Sequence, residues 1–199
     1  MFRTKGLART ISLEKRALLS TFGAQVVLTD PLPFTNPGHY YHTAERIAKE
    51  TGGFFVNQFE NLSNYKSHYE TTGPEIYNQS NKEIDAFICA AGTGGTLAGV
   101  SIYLKERNSS IQCYLMDPPT SRLYHYMKSG NLEPLEGTDA GLEGIGIDRV
   151  TANFRLAKLD GVSASGSKRF PFPSKSLEYF SNRHSPGPRR KLLKWRITY

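Results

Sequence analysis

Residues 84–99 read IDAFICAAGTGGTLAG, and the architecture of the chain can be worked out from them. The first seven, Ile84 to Ala90, are almost all apolar, which predicts a strand covered on both faces. A glycine-rich turn then leads directly into a helix that begins near Gly94. Such a helix start offers unpartnered N–H groups, and the missing side chains let an anion approach the backbone closely. The stretch predicts a strand, a phosphate-binding turn and a helix.

The spacing of the glycines excludes two common nucleotide-binding motifs. A dinucleotide loop requires G-x-G-x-x-G, but Leu97 stands three positions after Gly94. A nucleoside-triphosphate loop requires a lysine directly after its last glycine, and Val100 occupies that position after Gly99. Glycine spacing alone leaves open a tight turn without a ligand. The hydroxyl groups of Thr93 and Thr96 inside the turn favour an anion site.

The rest of the body alternates between helical and extended patterns. Helices are expected over Leu13–Leu19 (capped by Ser12 and ended by Gly23), His39–Glu50 and Tyr65–Asn78, the last kinked at Gly73-Pro74. Strands are expected over Ala24–Thr29, Phe54–Val56 and Ile111–Met116. Strands separated by helices predict an α/β fold with a parallel sheet that has helices on both faces.

Composition narrows the class of protein. The 199 residues contain no run of about 18 apolar residues, so no transmembrane segment is expected. Two cysteines exclude a disulfide framework, and no secretory signal is recognisable, which favours an intracellular location, cytoplasmic or mitochondrial. Cys89 and Cys113 fall in predicted central strands, where we expect buried thiols rather than nucleophiles.

The net charge of +7 belongs to the last part of the chain. Residues 1–161 carry 16 basic and 17 acidic side chains, whereas residues 162–199 carry nine basic side chains and a single acidic one. This tail is rich in serine and proline and is expected to be disordered. The tail either binds polyanions non-specifically or has no partner. No specific nucleic-acid partner is expected.

Five motifs occur in a fixed order along the body. They are SLEKR at 12–16 with FGAQVVLT at 22–29, QFENLSN at 58–64, HYETTGPEI at 68–76, GTGGT at 92–96 and EGIGID at 143–148. Together they resemble the cysteine synthase and cystathionine β-synthase family of pyridoxal-phosphate enzymes, which have the tryptophan-synthase-β fold. Residues 39–41, 116–119 and 153–161 most resemble the fungal cysteine-synthase-like branch. The resemblance covers about residues 11–161.

The resemblance implies a fold, a cofactor and a reaction. The fold would be an incomplete three-layer open parallel sheet, and the cofactor pyridoxal 5'-phosphate. The reaction would be β-replacement on an O-acetylserine or serine type substrate in cysteine biosynthesis. By resemblance, the cofactor phosphate would be bound by Gly92, Thr93, Gly94, Gly95 and Thr96. Gly144 would line the edge of the cofactor, and Gln58 would help to hold the substrate carboxylate.

The resemblance also implies that the chain is truncated at both ends. The family's aldimine lysine lies in an S-x-K-D/E-R motif upstream of anything that resembles Ser12, so we expect no catalytic residue and no covalent cofactor attachment here. The expected domains are 1–10 without resemblance, 11–57 from the small domain, 58–161 from the cofactor-binding domain, and the tail 162–199. A frameshift or a read-through intron would explain that tail. We expect the isolated chain to be marginally stable or to aggregate.

Whether this chain is an enzyme stays open. The alternatives are a non-catalytic remnant that binds phosphate or a partner, and a basic-tailed polyanion-binding protein. Family members are usually homodimers, which does not transfer to a chain with incomplete surfaces. Among the histidines, His39 and His42 have no evident third metal ligand, and His68 is expected to be structural rather than a catalytic base.

Overall fold

The computed structural model describes residues 4–8, 12–132, 144–164 and 192–194. The chain divides into two compact units, Met1–Val56 and Asn57–Tyr199. Within the described part, no helix is long and apolar enough to cross a membrane.

The first unit is a strand–helix–strand–helix arrangement. Its elements are β1 (Thr4–Ala8), α1 (Leu13–Thr21), β2 (Gln25–Thr29) and α2 (Tyr40–Glu50). The two strands pair in parallel, with Thr4 opposite Gln25. Ser12 occupies the N-cap position of α1 but makes no capping hydrogen bond through its side chain. Gly23, with a φ of +74°, follows the helix in the left-handed conformation that glycine adopts without strain.

The strand expected over Phe54–Val56 does not form. Within the described part, the sheet of this unit holds only β1 and β2, and residues 54–56 pair with neither strand. The Phe54 side chain is 82% exposed, and the Phe55 ring packs edge-on against Tyr41 at 5.2 Å. The prediction of a strand at 54–56 is wrong, because a strand needs a neighbouring strand as well as apolar residues.

His39, at the N-cap of α2, and His42, in its first turn, contact neighbouring backbone atoms. The His39 Nδ1 accepts a hydrogen bond from the Tyr41 N–H at 3.2 Å, and the His42 Nε2 lies 2.7 Å from the Phe34 carbonyl oxygen. Both rings also pack on the Phe34 ring. Across the described residues, no group of three or more potential metal ligands occurs.

The second unit is built on a four-stranded sheet. Its helices are α3 (Ser63–Ser67), a π-helical turn (His68–Thr72), α4 (Gly73–Gln79), α5 (Gly95–Arg107), α6 (Arg122–Ser129) and α7 (Ala152–Arg155). Its strands are β3 (Ala86–Cys89), β4 (Gln112–Asp117), β5 (Gly161–Ala164) and β6 (Leu192–Lys194). They lie in the order β5-β4-β3-β6, and every pair is parallel. This is the incomplete α/β parallel sheet that the sequence predicts.

The core of this unit lies between β3, β4 and α5. All four residues of β3 are buried, as the continuous apolar run predicts. Leu97, Val100 and Leu104 of α5 are fully buried against the sheet. Cys89 and Cys113 are free and buried, and desolvation raises the pKa of each thiol to about 12. The prediction that they are buried thiols rather than nucleophiles agrees with this environment.

The helix predicted over Tyr65–Asn78 is present as three joined segments. The π-helical turn separates α3 from α4, and Pro74 stands in the first turn of α4, directly after the π-helical turn. A wider turn of this kind inserts one residue into a helix and is frequent at functional sites. The irregularity predicted at Gly73-Pro74 is therefore confirmed, and it takes the form of a π-helical turn.

The tail is ordered in two places where disorder was expected. Residues 162–164 complete β5 against β4, and residues 192–194 form β6 against β3. Both add to edges of the sheet, where unpaired N–H and C=O groups accept a further strand regardless of side-chain pattern. The expectation of disorder is wrong for these residues. The rest of the tail, including the segment Leu177–Phe180 and most of its basic residues, lies outside the described residues.

Candidate functional site

The glycine turn between β3 and α5 has no room for side chains. Gly94, at the N-cap of α5, has a φ of +83°, and a Cβ added to it would lie 2.7 Å from the Cα of Phe154. A Cβ on Gly95 would overlap the side-chain amide of Asn64. Gly94 is required for its backbone conformation and its packing, and Gly95 is required for its packing alone. Asn64 and Phe154 therefore pack directly against the turn.

Gly92 joins the turn to the segment that contains Gly144. A Cβ on Gly92 would overlap the carbonyl oxygen of Gly144, so the two backbones are in direct contact. Gly144 itself has a φ of +88° and is exposed. The structure therefore brings together two segments, 92–96 and 144, that the sequence analysis placed at one site on resemblance.

The backbone acceptors of the turn are occupied by partners within the fold. The Thr151 hydroxyl donates to the Thr93 carbonyl oxygen at 2.6 Å, and the Ala98 N–H donates to the Gly94 carbonyl oxygen at 2.9 Å. The first N–H groups of a helix, here including those of Thr96 and Leu97, have no acceptor within the helix. The helix dipole adds a partial positive charge at the same place. The turn thus presents donors and positive potential to an anion.

Asn64 connects the turn to Gln58. Its Nδ2 donates both to the Thr93 hydroxyl oxygen at 2.9 Å and to the Gln58 carbonyl oxygen at 2.8 Å. Gln58 is therefore held near the turn through its backbone, and its side chain is exposed. Its predicted role in holding the substrate carboxylate stays a prediction. Asn64 belongs to the quoted QFENLSN motif, but its role was not assigned from sequence.

Asn153 fixes the chain between Gln58 and Tyr65. It is fully buried, and its Nδ2 donates to the carbonyl oxygens of Phe59 at 2.7 Å and Asn61 at 3.2 Å. Its Oδ1 accepts a hydrogen bond from the Tyr65 N–H at 3.1 Å. A buried amide with this many partners replaces the secondary structure that an irregular loop lacks.

Glu60 forms a second link to the same stretch. Its carboxylate accepts from the Ala152 N–H at 2.8 Å and from the Arg149 guanidinium at 3.3 Å. Ala152 is the first residue of α7, so the negative charge also meets the positive end of a helix. Residues 149–154 therefore hold both the turn and the loop in front of it. No local sequence signal marks these partners, because they lie about 90 positions away from the loop.

His68 lies beside the start of α5. Its Nε2 is 3.1 Å from the Thr96 hydroxyl, and its Nδ1 is 2.9 Å from the Thr72 hydroxyl. Burial lowers the pKa of the imidazole, which favours the neutral ring. Gly99 allows this close approach, because a Cβ there would come within 2.7 Å of the His68 Cβ. The position of His68 agrees with its prediction as a structural residue and adds a contact to the turn.

Asp117 holds the other side of the Gly144 segment. It is fully buried at the end of β4, where its Oδ2 accepts a hydrogen bond from the Ser121 hydroxyl and its carboxylate lies beside the Gly146 N–H. Desolvation raises the pKa of its carboxyl to about 6, although the Ser121 hydroxyl and the Gly146 N–H act in the opposite direction. Asp117 therefore anchors the segment that contacts Gly92.

The chemistry of the turn fits a phosphate group. The hydroxyls of Thr93 and Thr96 and the first N–H groups of α5 lie at the turn, and the carbonyl oxygens of Thr93 and Gly94 accept hydrogen bonds from within the fold. A shallow open groove of about 530 Å³ elsewhere in the unit is lined by Ile102, Lys105, Glu106 and residues 157–159. It lacks such a set of converging donors.

Comparisons with known proteins identify the family of the chain. Residues 6–166 match the model of the pyridoxal-phosphate dependent enzyme family. Cysteine synthase 2 of Schizosaccharomyces pombe is 43% identical over 164 residues, which cover 74% of this chain and 42% of the relative. The chain spans about two fifths of the length of the curated relatives it matches.

Two solved structures show the same fold. A hydrogen sulfide-producing enzyme from Fusobacterium nucleatum superposes with a TM-score of 0.66 at 30% identity, covering 81% of this chain and 52% of that one. O-acetylserine sulfhydrylase isoform 3 from Entamoeba histolytica gives 0.64 at 28% identity, covering 81% and 45%. The family match contains the glycine turn and extends past residues 11–161 at both ends. The chain therefore belongs to the pyridoxal-phosphate dependent enzymes, and it resembles their cysteine synthase branch.

Proposed function

We propose that this chain supplies the cofactor-phosphate site of a cysteine synthase-like enzyme. The reaction is β-replacement, in which sulfur displaces the β-substituent of an O-acetylserine or serine type substrate. The observation that supports the proposal is the turn 92–96 at the start of α5, where the first N–H groups of the helix lie together with the hydroxyls of Thr93 and Thr96. Support for the reaction comes from relatives that are named cysteine synthase and O-acetylserine sulfhydrylase.

The residues of the chain act by binding and orientation. When bound, pyridoxal phosphate supplies an electron sink that stabilises negative charge at the α-carbon of an amino-acid substrate. The N–H groups at the start of α5 and the hydroxyls of Thr93 and Thr96 hold the phosphate. Gly144 allows the cofactor edge to pass close to the backbone, and Gln58 orients the substrate carboxylate. We propose residues 11–57 as part of the small domain and residues 58–161 as part of the cofactor-binding domain, and the division of the chain after Val56 supports this boundary.

Binding of pyridoxamine 5'-phosphate tests this proposal without requiring a reaction. We expect saturable binding by calorimetry and at least about tenfold weaker binding of pyridoxamine, which lacks the phosphate. Thr93→Val removes one hydroxyl from the turn and is expected to weaken binding, whereas Thr71→Val makes the same change outside it. Equal affinity for the two ligands would refute the phosphate site.

We also propose that the 199-residue chain binds the cofactor without turning substrate over. No segment matches the family's S-x-K-D/E-R motif in full, and the partial match at 80–84 (SNKEI) follows the QFENLSN motif instead of preceding Ser12. We expect no lysine to be labelled when pyridoxal phosphate is added and reduced with borohydride, followed by peptide mapping. Stoichiometric labelling of one lysine, together with sulfide-dependent formation of cysteine, would overturn this and identify the chain as an active enzyme.

Partners and location are proposed on weaker support. The substrate class is a small amino acid, as for the family. A homodimer stays a family-level prediction that light scattering of the purified chain tests. The two free, buried thiols agree with a reducing compartment, and we propose the cytoplasm or the mitochondrion, which fractionation distinguishes.

A further inference from the structure

The neighbours of Thr93 determine whether its hydroxyl donates or accepts hydrogen bonds. The Gln58 carbonyl oxygen only accepts, so the Asn64 atom that faces it must be the amide nitrogen. That nitrogen has a second hydrogen, which it donates to the Thr93 hydroxyl oxygen. The Gly95 N–H donates to the same oxygen at 3.4 Å. With both lone pairs of Thr93 engaged, its own hydrogen is left to donate elsewhere.

Thr96 stands in a similar relation to His68. The neutral imidazole has one N–H and one bare nitrogen, and it faces Thr96 with Nε2 and Thr72 with Nδ1. If Nε2 carries the hydrogen, Thr96 accepts it and its hydroxyl hydrogen is available to a ligand. If Nε2 is bare, Thr96 donates to the ring and presents only lone pairs. A phosphate dianion offers acceptors only, so the first arrangement attracts it and the second repels it.

We propose that Asn64 and His68 are positioning residues that hold both threonine hydroxyls of the turn as donors towards an anion, with His68 in its Nε2–H form. This inference rests on the proposed function, because it names how that site selects a phosphate. The Thr72 hydroxyl then donates to Nδ1, which fixes the ring through the π-helical turn. His68 and Thr72 are four positions apart and lie on the same face of the helix, next to the start of α5.

The variant Asn64→Asp tests the positioning role of Asn64. Asn64→Asp keeps the shape of the side chain but replaces two N–H donors by acceptors, so Thr93 must donate to it and no longer to the ligand. We expect at least about tenfold weaker binding of pyridoxamine 5'-phosphate by calorimetry. Asn78→Asp, which adds the same charge on an exposed position of α4, is the matched control and is expected to bind as the unmodified chain does.

The protonation form of the His68 ring and two His68 variants test the positioning role of His68. Nitrogen-15 chemical shifts of the labelled, unmodified chain distinguish the two neutral forms of His68 without any substitution, and we expect Nε2–H. His68→Gln can place an amide N–H near the Nε2 position, whereas His68→Leu cannot donate. We expect His68→Gln to retain most of the affinity and His68→Leu to lose about tenfold. A merely structural role predicts no such rescue.

The outcomes distinguish failure of the proposed function from failure of the roles given to Asn64 and His68. Absence of pyridoxamine 5'-phosphate binding by the unmodified chain overturns the proposed function, and the inference that depends on it falls as well. Binding by the unmodified chain together with equal affinity in Asn64→Asp and His68→Leu overturns the inference alone. A His68 ring in the Nδ1–H form also overturns the inference, even if every variant fails to fold.

Discussion

The hydroxyl of Thr151 donates to the carbonyl oxygen of Thr93 across 2.6 Å, although 58 positions separate the two residues. This bond removes an acceptor from the glycine turn and ties the turn to the stretch 149–154. Asn153, two residues further on, secures the loop that contains Gln58. One short stretch of the chain therefore fixes both parts of the candidate site, which makes its geometry testable by substitution.

Gly94→Ala is expected to destabilise the chain more than Gly130→Ala. Both glycines have positive φ, +83° and +77°, so both substitutions introduce similar backbone strain of about 1 kcal/mol. A Cβ at Gly130 meets nothing within 4 Å, whereas one at Gly94 meets the backbone of Phe154. We expect an additional loss of about 2 kcal/mol for Gly94→Ala in the free energy of urea unfolding. Equal losses would show that the turn is loosely packed.

Asn153→Ala is expected to lower the free energy of unfolding by about 3 kcal/mol, because it leaves several buried backbone groups without partners. Amide hydrogen exchange at Tyr65, whose N–H is bonded to Asn153, should accelerate together with this loss. Asn78→Ala, on an exposed position of α4, is the control. Unchanged exchange at Tyr65 in Asn153→Ala would contradict the assignment.

Asp117 is expected to make the unfolding free energy depend on pH. Its folded pKa is raised to about 6 from 3.8, so the folded state binds a proton in a pH range where the unfolded state does not. The corresponding stability is fully present below pH 3.8 and is lost as the pH rises through about 6, by at most about 3 kcal/mol. Asp117→Asn should flatten the difference between pH 4 and pH 7. An identical pH profile in both proteins would contradict this.

Exposed aromatic side chains in the first unit are expected to promote aggregation. Phe22 and Phe54 are 76% and 82% exposed, and apolar surface of this kind favours self-association. We expect light scattering of the purified chain to increase with concentration, and Phe54→Ser to reduce it. A sharp, reversible thermal transition of monomeric, unmodified chain would contradict the prediction of marginal stability.

Much of the second unit was predictable from local patterns. The apolar run before Gly92 predicts β3, and the glycine turn predicts the start of α5, because burial and backbone conformation leave direct marks on composition. Gly73-Pro74 likewise marked the irregular helix. The strand expected over 54–56 failed because a strand depends on a partner elsewhere in the chain, and the edge strands β5 and β6 were missed for the same reason.

The sequence by itself determined the fold class, the family and the position of the glycine turn, since these depend on residue types at fixed local spacing. Only the tertiary structure showed that Asn64, His68 and Thr151 surround that turn. Their contacts with Thr93 and Thr96 join positions 28 to 58 apart. Hydrogen bonds over such separations form only after the helices pack on the sheet, so no local pattern records them. The glycines mark where the turn lies, and the packed partners determine what the hydroxyls of Thr93 and Thr96 contact.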